Sequence, residues 1–95
     1  MILIIDDDSA VRSSLSFMLK RAGYEAQTVP GPREAMEVVR SVAPDLILMD
    51  IRMPIMDGIQ ATEKIRAISL TVPIIAVTAY AFYTEQQQAI QAGCN

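Results

Sequence analysis

Hydrophobic positions in this chain follow two rhythms in alternation. Three short apolar runs each stop at an oxygen-bearing side chain. Residues 1–5 run into Asp6, Asp7 and Asp8, residues 46–49 into Asp50, and Ile74–Val77 into Thr78. Between them, apolar residues recur three and four apart, as on one face of a helix. The pattern predicts a first strand at Ile2–Ile5. A helix follows, with Ser9 as its N-cap, Val11, Leu15, Met18, Leu19 and Ala22 as its inner stripe, and Gly23 as its end. Residues 24–29 form a second, more polar strand of edge character. After Pro30-Gly31, Pro32 opens a second helix whose stripe is Ala35, Met36, Val38, Val39 and Val42. A third strand at residues 46–49 leads into a loop through Pro54 to the Asp57-Gly58 turn signal. A third helix carries Ile59, Ile65 and Ile68, and Pro73 precedes a fourth strand at Ile74–Val77. A fourth helix presents Ala89 and Ile90 inward and ends at Gly93.

Alternating strands and helices predict an α/β, doubly wound, (βα)4 domain with a parallel sheet. In the flavodoxin-like order 2-1-3-4, strands one, three and four are neighbours about 4.8 Å apart. All strands then point one way, and their last residues collect at the edge where open α/β sheets place ligands. Asp6, Asp7 and Asp50 would meet there, with Thr78 on the far side. Carboxylates that close raise one another's pKa, and a divalent cation relieves the penalty. A hard ion with oxygen ligands fits: Mg2+, with Mn2+ as an alternative. Asp50, central in the group, is the best placed nucleophile toward phosphorus, and the Thr78 hydroxyl suits a phosphoryl oxygen.

Composition narrows the choice of function. The chain has 95 residues, enough for one domain, and 52% of them are hydrophobic. A net charge of −3 offers no electrostatic footprint for nucleic acid or an anionic membrane. No apolar run is long enough to span a bilayer, and no signal-peptide pattern opens the chain. Its single cysteine, Cys94, excludes an internal disulfide and fits a reducing, cytoplasmic setting. Lying next to the last residue, that thiol is expected to form an intermolecular bridge only as an artefact of storage. Histidine is absent, so histidine-dependent chemistry has to come from a partner.

Three segments carry a family resemblance: Ile-Ile-Asp-Asp-Asp-Ser at 4–9, Met-Asp-Ile-Arg-Met-Pro-Ile-Met-Asp-Gly at 49–58, and Pro-Ile-Ile-Ala-Val-Thr-Ala at 73–79. In order and spacing they resemble the receiver domain of two-component response regulators, over essentially the whole chain. The resemblance implies that Asp7 binds metal directly and Asp6 binds it through water. Asp50 is the phospho-acceptor, Arg52 offers its backbone carbonyl to the metal, and Thr78 is a switch hydroxyl. Asp8 falls at a position often acidic but not a ligand. Tyr80 and Arg52, each two residues past a site residue, flank the site mouth and are candidates to tune phosphoryl lifetime. The implied partner is a sensor histidine kinase or phosphotransfer protein, with an output domain possible in the parent protein. Phe82, Tyr83 and Glu85 on helix four are a candidate partner face.

Family members continue into a fifth strand ending in a phosphate-pairing lysine, then a fifth helix. The chain stops at Cys94-Asn95, before both, and neither Lys20 nor Lys64 is placed to substitute. This implies a C-terminally incomplete domain with an apolar fourth strand at its edge, expected to self-associate. Two other functions fit parts of the pattern. A phosphorylation-impaired interaction module accounts for the missing lysine. A phosphohydrolase of the haloacid-dehalogenase type would use Asp6 as nucleophile and Asp8 as general acid, but leaves Asp50 unexplained.

Overall fold

The computed structural model describes residues 1–50, 58–69, 71–77 and 90–95. Their elements are β1 (Ile2–Ile5), α1 (Ser9–Arg21), β2 (Ala26–Val29), α2 (Pro32–Ser41), β3 (Leu46–Asp50), α3 (Gly58–Ile68) and β4 (Ile74–Val77). All pairings are parallel and the strand order is β2-β1-β3-β4, as the sequence pattern predicts. The second strand, Ala26–Val29, is shorter than the predicted 24–29, because Tyr24 N–H closes the end of α1 and Glu25 only leads into the pairing through its carbonyl.

Strand alternation divides the apolar side chains between two faces. Leu3, Ile5, Ile47, Met49 and Ile74 lie on one, packed with Ala35 and Val39 of α2 and Ala61 and Ile65 of α3 in a single buried cluster. α1 covers β1 and β2, and Ile2 and Ile4 of β1 are buried as well. On that second face cover is incomplete. Leu46 and Leu48 are half-buried, and Ile75 is 44% exposed.

The same asymmetry corrects the reading of α1. Its stripe at helical spacing predicts an inward face, yet no residue of α1 is buried, and Met18 is 62% exposed. Spacing shows that a helix has an apolar side; it does not show that anything covers that side. Val42, Ile68 and Ile90, each read as core from periodicity, are likewise exposed, while Ala92 is buried. Ile59 and Ala89 lie outside the residues whose side chains are described. Cys94 is also unlike its expectation. It is buried in the main cluster against the Thr62 hydroxyl, 3.5 Å away, rather than presented for an intermolecular bridge.

The ends of α1 follow from local chemistry. Ser9 is not the N-cap; it is the first helical residue, and Asp8 caps. The Asp8 carboxylate accepts from the backbone N–H groups of Ala10 at 2.8 Å and Val11 at 3.3 Å. Asp and Ser are equally good caps by type, so only the backbone, extended at Asp8, decides between them. At the other end Tyr24 N–H bonds to Leu19 C=O and Gly23 N–H to Lys20 C=O, with Gly23 at φ +96°. That Schellman arrangement needs the left-handed conformation glycine adopts without steric cost. Below the sheet, the Met1 ammonium pairs with the Asp45 carboxylate and Asp45 N–H bonds to Met1 C=O, tying the starts of β1 and β3.

Replacing Asp8 by alanine is expected to lower stability by about 1 kcal/mol, while serine keeps most of the cap. In a domain this size that is about 4–8 °C in Tm. Thermal denaturation of the two variants beside the parent checks it; equal losses for alanine and serine would show that the cap contributes nothing.

Candidate functional site

Register builds the site. β1 and β3 pair with Ile5 opposite Met49, so the next residues, Asp6 and Asp50, emerge side by side at the C-terminal edge of the sheet. β4 continues the row with Val77 opposite Asp50. One carboxylate oxygen from each of Asp6, Asp7 and Asp50 lies within 4.8 Å of the others. Asp6 is buried, Asp50 half-buried and Asp7 exposed, so the group opens toward solvent on the Asp7 side. Thr78, Arg52 and Tyr80, together with Pro54 and Asp57, lie outside the described residues, as do Phe82, Tyr83 and Glu85.

Hydrogen bonds fix the loop after β1. Asp6 Oδ1 accepts from the backbone N–H of Asp8 at 2.9 Å, and Asp6 N–H reaches Val29 C=O at 3.3 Å. Arg12, one turn into α1, donates through Nη1 to Asp6 C=O at 2.7 Å. The helix that Asp8 starts therefore holds the residue two before its own cap. Sequence reasoning missed Arg12. Its signal is its place four residues past Asp8, on the helix side that turns back over the strand end.

Burial pushes the Asp6 carboxyl above its ordinary range, and the charges of Asp7 and Asp8 push the same way; the Asp8 N–H bond opposes them. A group in that condition binds a cation or a proton readily. Around one Mg2+ the ligand oxygens stand about 2.1 Å from the ion, hence no more than about 4.2 Å apart. Small side-chain movements bring these three carboxylates within that limit, and all-oxygen anionic donors are what a hard divalent ion takes. The arrangement suits a cation site with one carboxylate at the end of a central strand, where a nucleophile is held rigidly.

The sequence profile of the response regulator receiver domain matches residues 2–95. The chain belongs to the response regulator receiver family. It is 38% identical over 95 residues to the sensor histidine kinase RcsC of Salmonella typhimurium, covering all of this chain and 10% of that protein. It is 39% identical over 92 residues to the regulatory protein AtoC of Escherichia coli, 97% of this chain and 20% of that one. To the response regulator MprA of Mycolicibacterium vanbaalenii it is 34% identical, over 99% of this chain and 41% of the relative. The chain thus spans between a tenth and two fifths of these relatives. Among solved structures, Vibrio cholerae chemotaxis protein CheY4 superposes with a TM-score of 0.95 at 29% identity, over 99% of this chain and 80% of that one. A CheY-like receiver domain from Methanospirillum hungatei gives 0.91 at 31%, over 99% and 75%. The receiver fold is therefore shared, four strands and their order included. Among the described residues, no helix is long and apolar enough to cross a membrane.

The raised Asp6 pKa has a calculable sign. The folded state holds the Asp6 proton more tightly than the unfolded chain does, so folding stability falls as pH rises from the ordinary aspartate range through the raised folded pKa. Asp6→Asn keeps the Oδ1 acceptor and removes the ionisable group. In buffer free of divalent ions, the variant is expected to gain on the parent in Tm across that window and stay ahead at neutral pH. A Tm difference that does not change with pH would show that Asp6 carries no such penalty.

Proposed function

We propose that the chain is a phospho-accepting signalling module in which Asp50 receives a phosphoryl group from a phosphohistidine on a sensor histidine kinase or phosphotransfer protein. The observation that carries this reading is the meeting of Asp6, Asp7 and Asp50 at one sheet edge. A carboxylate oxygen of Asp50 attacks phosphorus, the phosphorus–nitrogen bond of the donor breaks, and the imidazole leaves and takes up a proton. Because the chain has no histidine, the donor is a phosphohistidine outside these 95 residues or a small phosphodonor. Asp6 and Asp7, with Asp50 and the Arg52 carbonyl, are the residues that would hold Mg2+ or Mn2+. The bound cation supplies positive charge against the oxygens of the transferring group. Thr78 is assigned the hydrogen bond to a phosphoryl oxygen, and Tyr80 and Arg52 the control of water access.

β3 makes Asp50 a good acceptor because it is paired on both sides, so the carboxylate is presented with little freedom to retreat. The module transfers and releases a phosphoryl group on itself rather than turning over an external substrate. Its output is a shift of population in the segment after β4, including the Phe82, Tyr83 and Glu85 surface, read by a partner or by an output domain of the parent protein. A cytoplasmic setting follows from the class of partner. The buried Asp6 beside a central Asp50 favours this reading over the dehalogenase-type hydrolase, which has no use for Asp50.

Incubation of the 95-residue chain with acetyl phosphate and Mg2+ is expected to add one phosphoryl group by intact mass, and none with Asp50→Asn. Label retained by Asp50→Asn and lost by Asp6→Asn would favour the hydrolase. No added phosphate in the parent, with Mg2+ binding intact, would leave the phosphorylation-impaired module.

The edge position of β4 among the described strands and the 44% exposed Ile75 support self-association of this chain. Sedimentation velocity at micromolar concentration is expected to show a dimer or larger species, and a stable monomer overturns that proposal.

A further inference from the structure

The end of β4 remote from the acidic site is held by a hydrogen-bond network centred on Arg66 and Asn95. Arg66, in the last turn of α3, donates through Nε to Gly93 C=O at 2.9 Å and through Nη1 to the carbonyls of Ser69 and Val72. Its Nη2 donates to Asn95 Oδ1 at 3.0 Å. That same Oδ1 accepts from the backbone N–H of Ile74 at 2.9 Å, and Asn95 N–H donates to Ile74 C=O at 2.8 Å. Asn95 thus occupies both backbone groups of Ile74 on the outer edge of β4, once with its side chain and once with its main chain. The apolar edge expected from the sequence is closed at its first residue.

Three features converge on this arrangement. A planar guanidinium offers several donors in a fixed fork, and its charge suits the carbonyl end of a helix. Gly93 has φ +120°, and a Cβ there would stand 2.7 Å from Arg66 Cγ, so glycine is what lets the arginine lie flush. Cys94 is buried in the core between Gly93 and Asn95, which fixes the segment from its other side.

We infer that Arg66 is a positioning residue, a latch that sets the register of residues 93–95 on the outer edge of β4. Arg66 has no hydrogen bond to Ile74; it acts on that residue through Asn95 Oδ1. The latch pins the start of the strand whose far end leads to the candidate phosphoryl site. The outer backbone groups of β4 are thereby committed from the Ile74 end, in one direction and one register. None of this depends on phosphorylation.

Amide hydrogen exchange at Ile74 tests the latch in the 95-residue chain, with the β1 amides as the global reference. In Arg66→Lys, which keeps the charge and loses the fork, Ile74 is expected to exchange about tenfold faster while β1 changes by less than about twofold. Asn95→Ala should give the same acceleration, and the double variant no more than Asn95→Ala alone. Asn95→Asp keeps Oδ1 and adds charge opposite the guanidinium, so Ile74 should exchange more slowly; this variant serves even where Arg66→Lys does not fold. An unchanged Ile74 rate in Arg66→Lys or in Asn95→Asp, acceleration shared equally by β1, or additive effects in the double variant would each overturn the inference.

Discussion

Parallel, in-register pairing of β1 with β3 forces the last residues of two buried strands to leave the sheet at the same level. With Ile5 opposite Met49, Asp6 and Asp50 have no other place to go. Any slip of one residue would turn every side chain of a strand to the opposite face and break the packing of Leu3, Ile5, Ile47 and Met49 against α2 and α3, so core packing holds the acids together. The core thus does more than stabilise: its packing of Leu3, Ile5, Ile47 and Met49 is what brings like charges within 4.8 Å of one another. Asp6, buried at its strand end, cannot withdraw into solvent as the exposed Asp7 can, and its charge is relieved by a proton or a cation.

The loop after β1 has two tasks within three residues, and the division between them is visible in its hydrogen bonds. Asp6 and Asp7 face the cluster, whereas Asp8 turns to the α1 amides. Arg12 then secures the Asp6 carbonyl from the first turns of the same helix. Three consecutive acids therefore do different work because the backbone reverses at the third. Starting a helix consumes one carboxylate and leaves the other two at the sheet edge beside Asp50. Removing the cap would loosen α1 and, through Arg12, the residue that sits deepest in the site.

Strand positions, sheet order and the acid cluster were legible because each rests on a short apolar run ending in a polar residue. In a parallel sheet that pattern has few solutions. Which face of a helix meets something was less legible. Met18, Val42, Ile68 and Ile90 have core-like spacing yet stand exposed, since periodicity reports amphipathicity and not the presence of a neighbour. Cys94 was misjudged for a related reason. Closeness to the end of the chain suggests exposure, but the 93–95 segment is drawn inward by contacts from α3 and β4. Asp8 and Ser9 compete as caps with the same chemistry, and only the turn geometry separates them. Arg66 left no sequence signal at all, because its four acceptors include three backbone carbonyls, which any residue supplies.

The two ends of the sheet illustrate opposite uses of the same edge. At the C-terminal end, β1 and β3 gather carboxylates whose charges repel, an arrangement that a bound proton or cation relieves. At the N-terminal end of β4, Arg66 and Asn95 satisfy the edge with neutral carbonyl acceptors and a single cation, an arrangement with no competing partner for a ligand to displace. Fixing Ile74 also fixes how β4 lies along β3, and that register is what sets Val77 beside Asp50. A four-residue strand thus serves both as structural edge and as a neighbour of the acid cluster, because its two ends meet different chemistry.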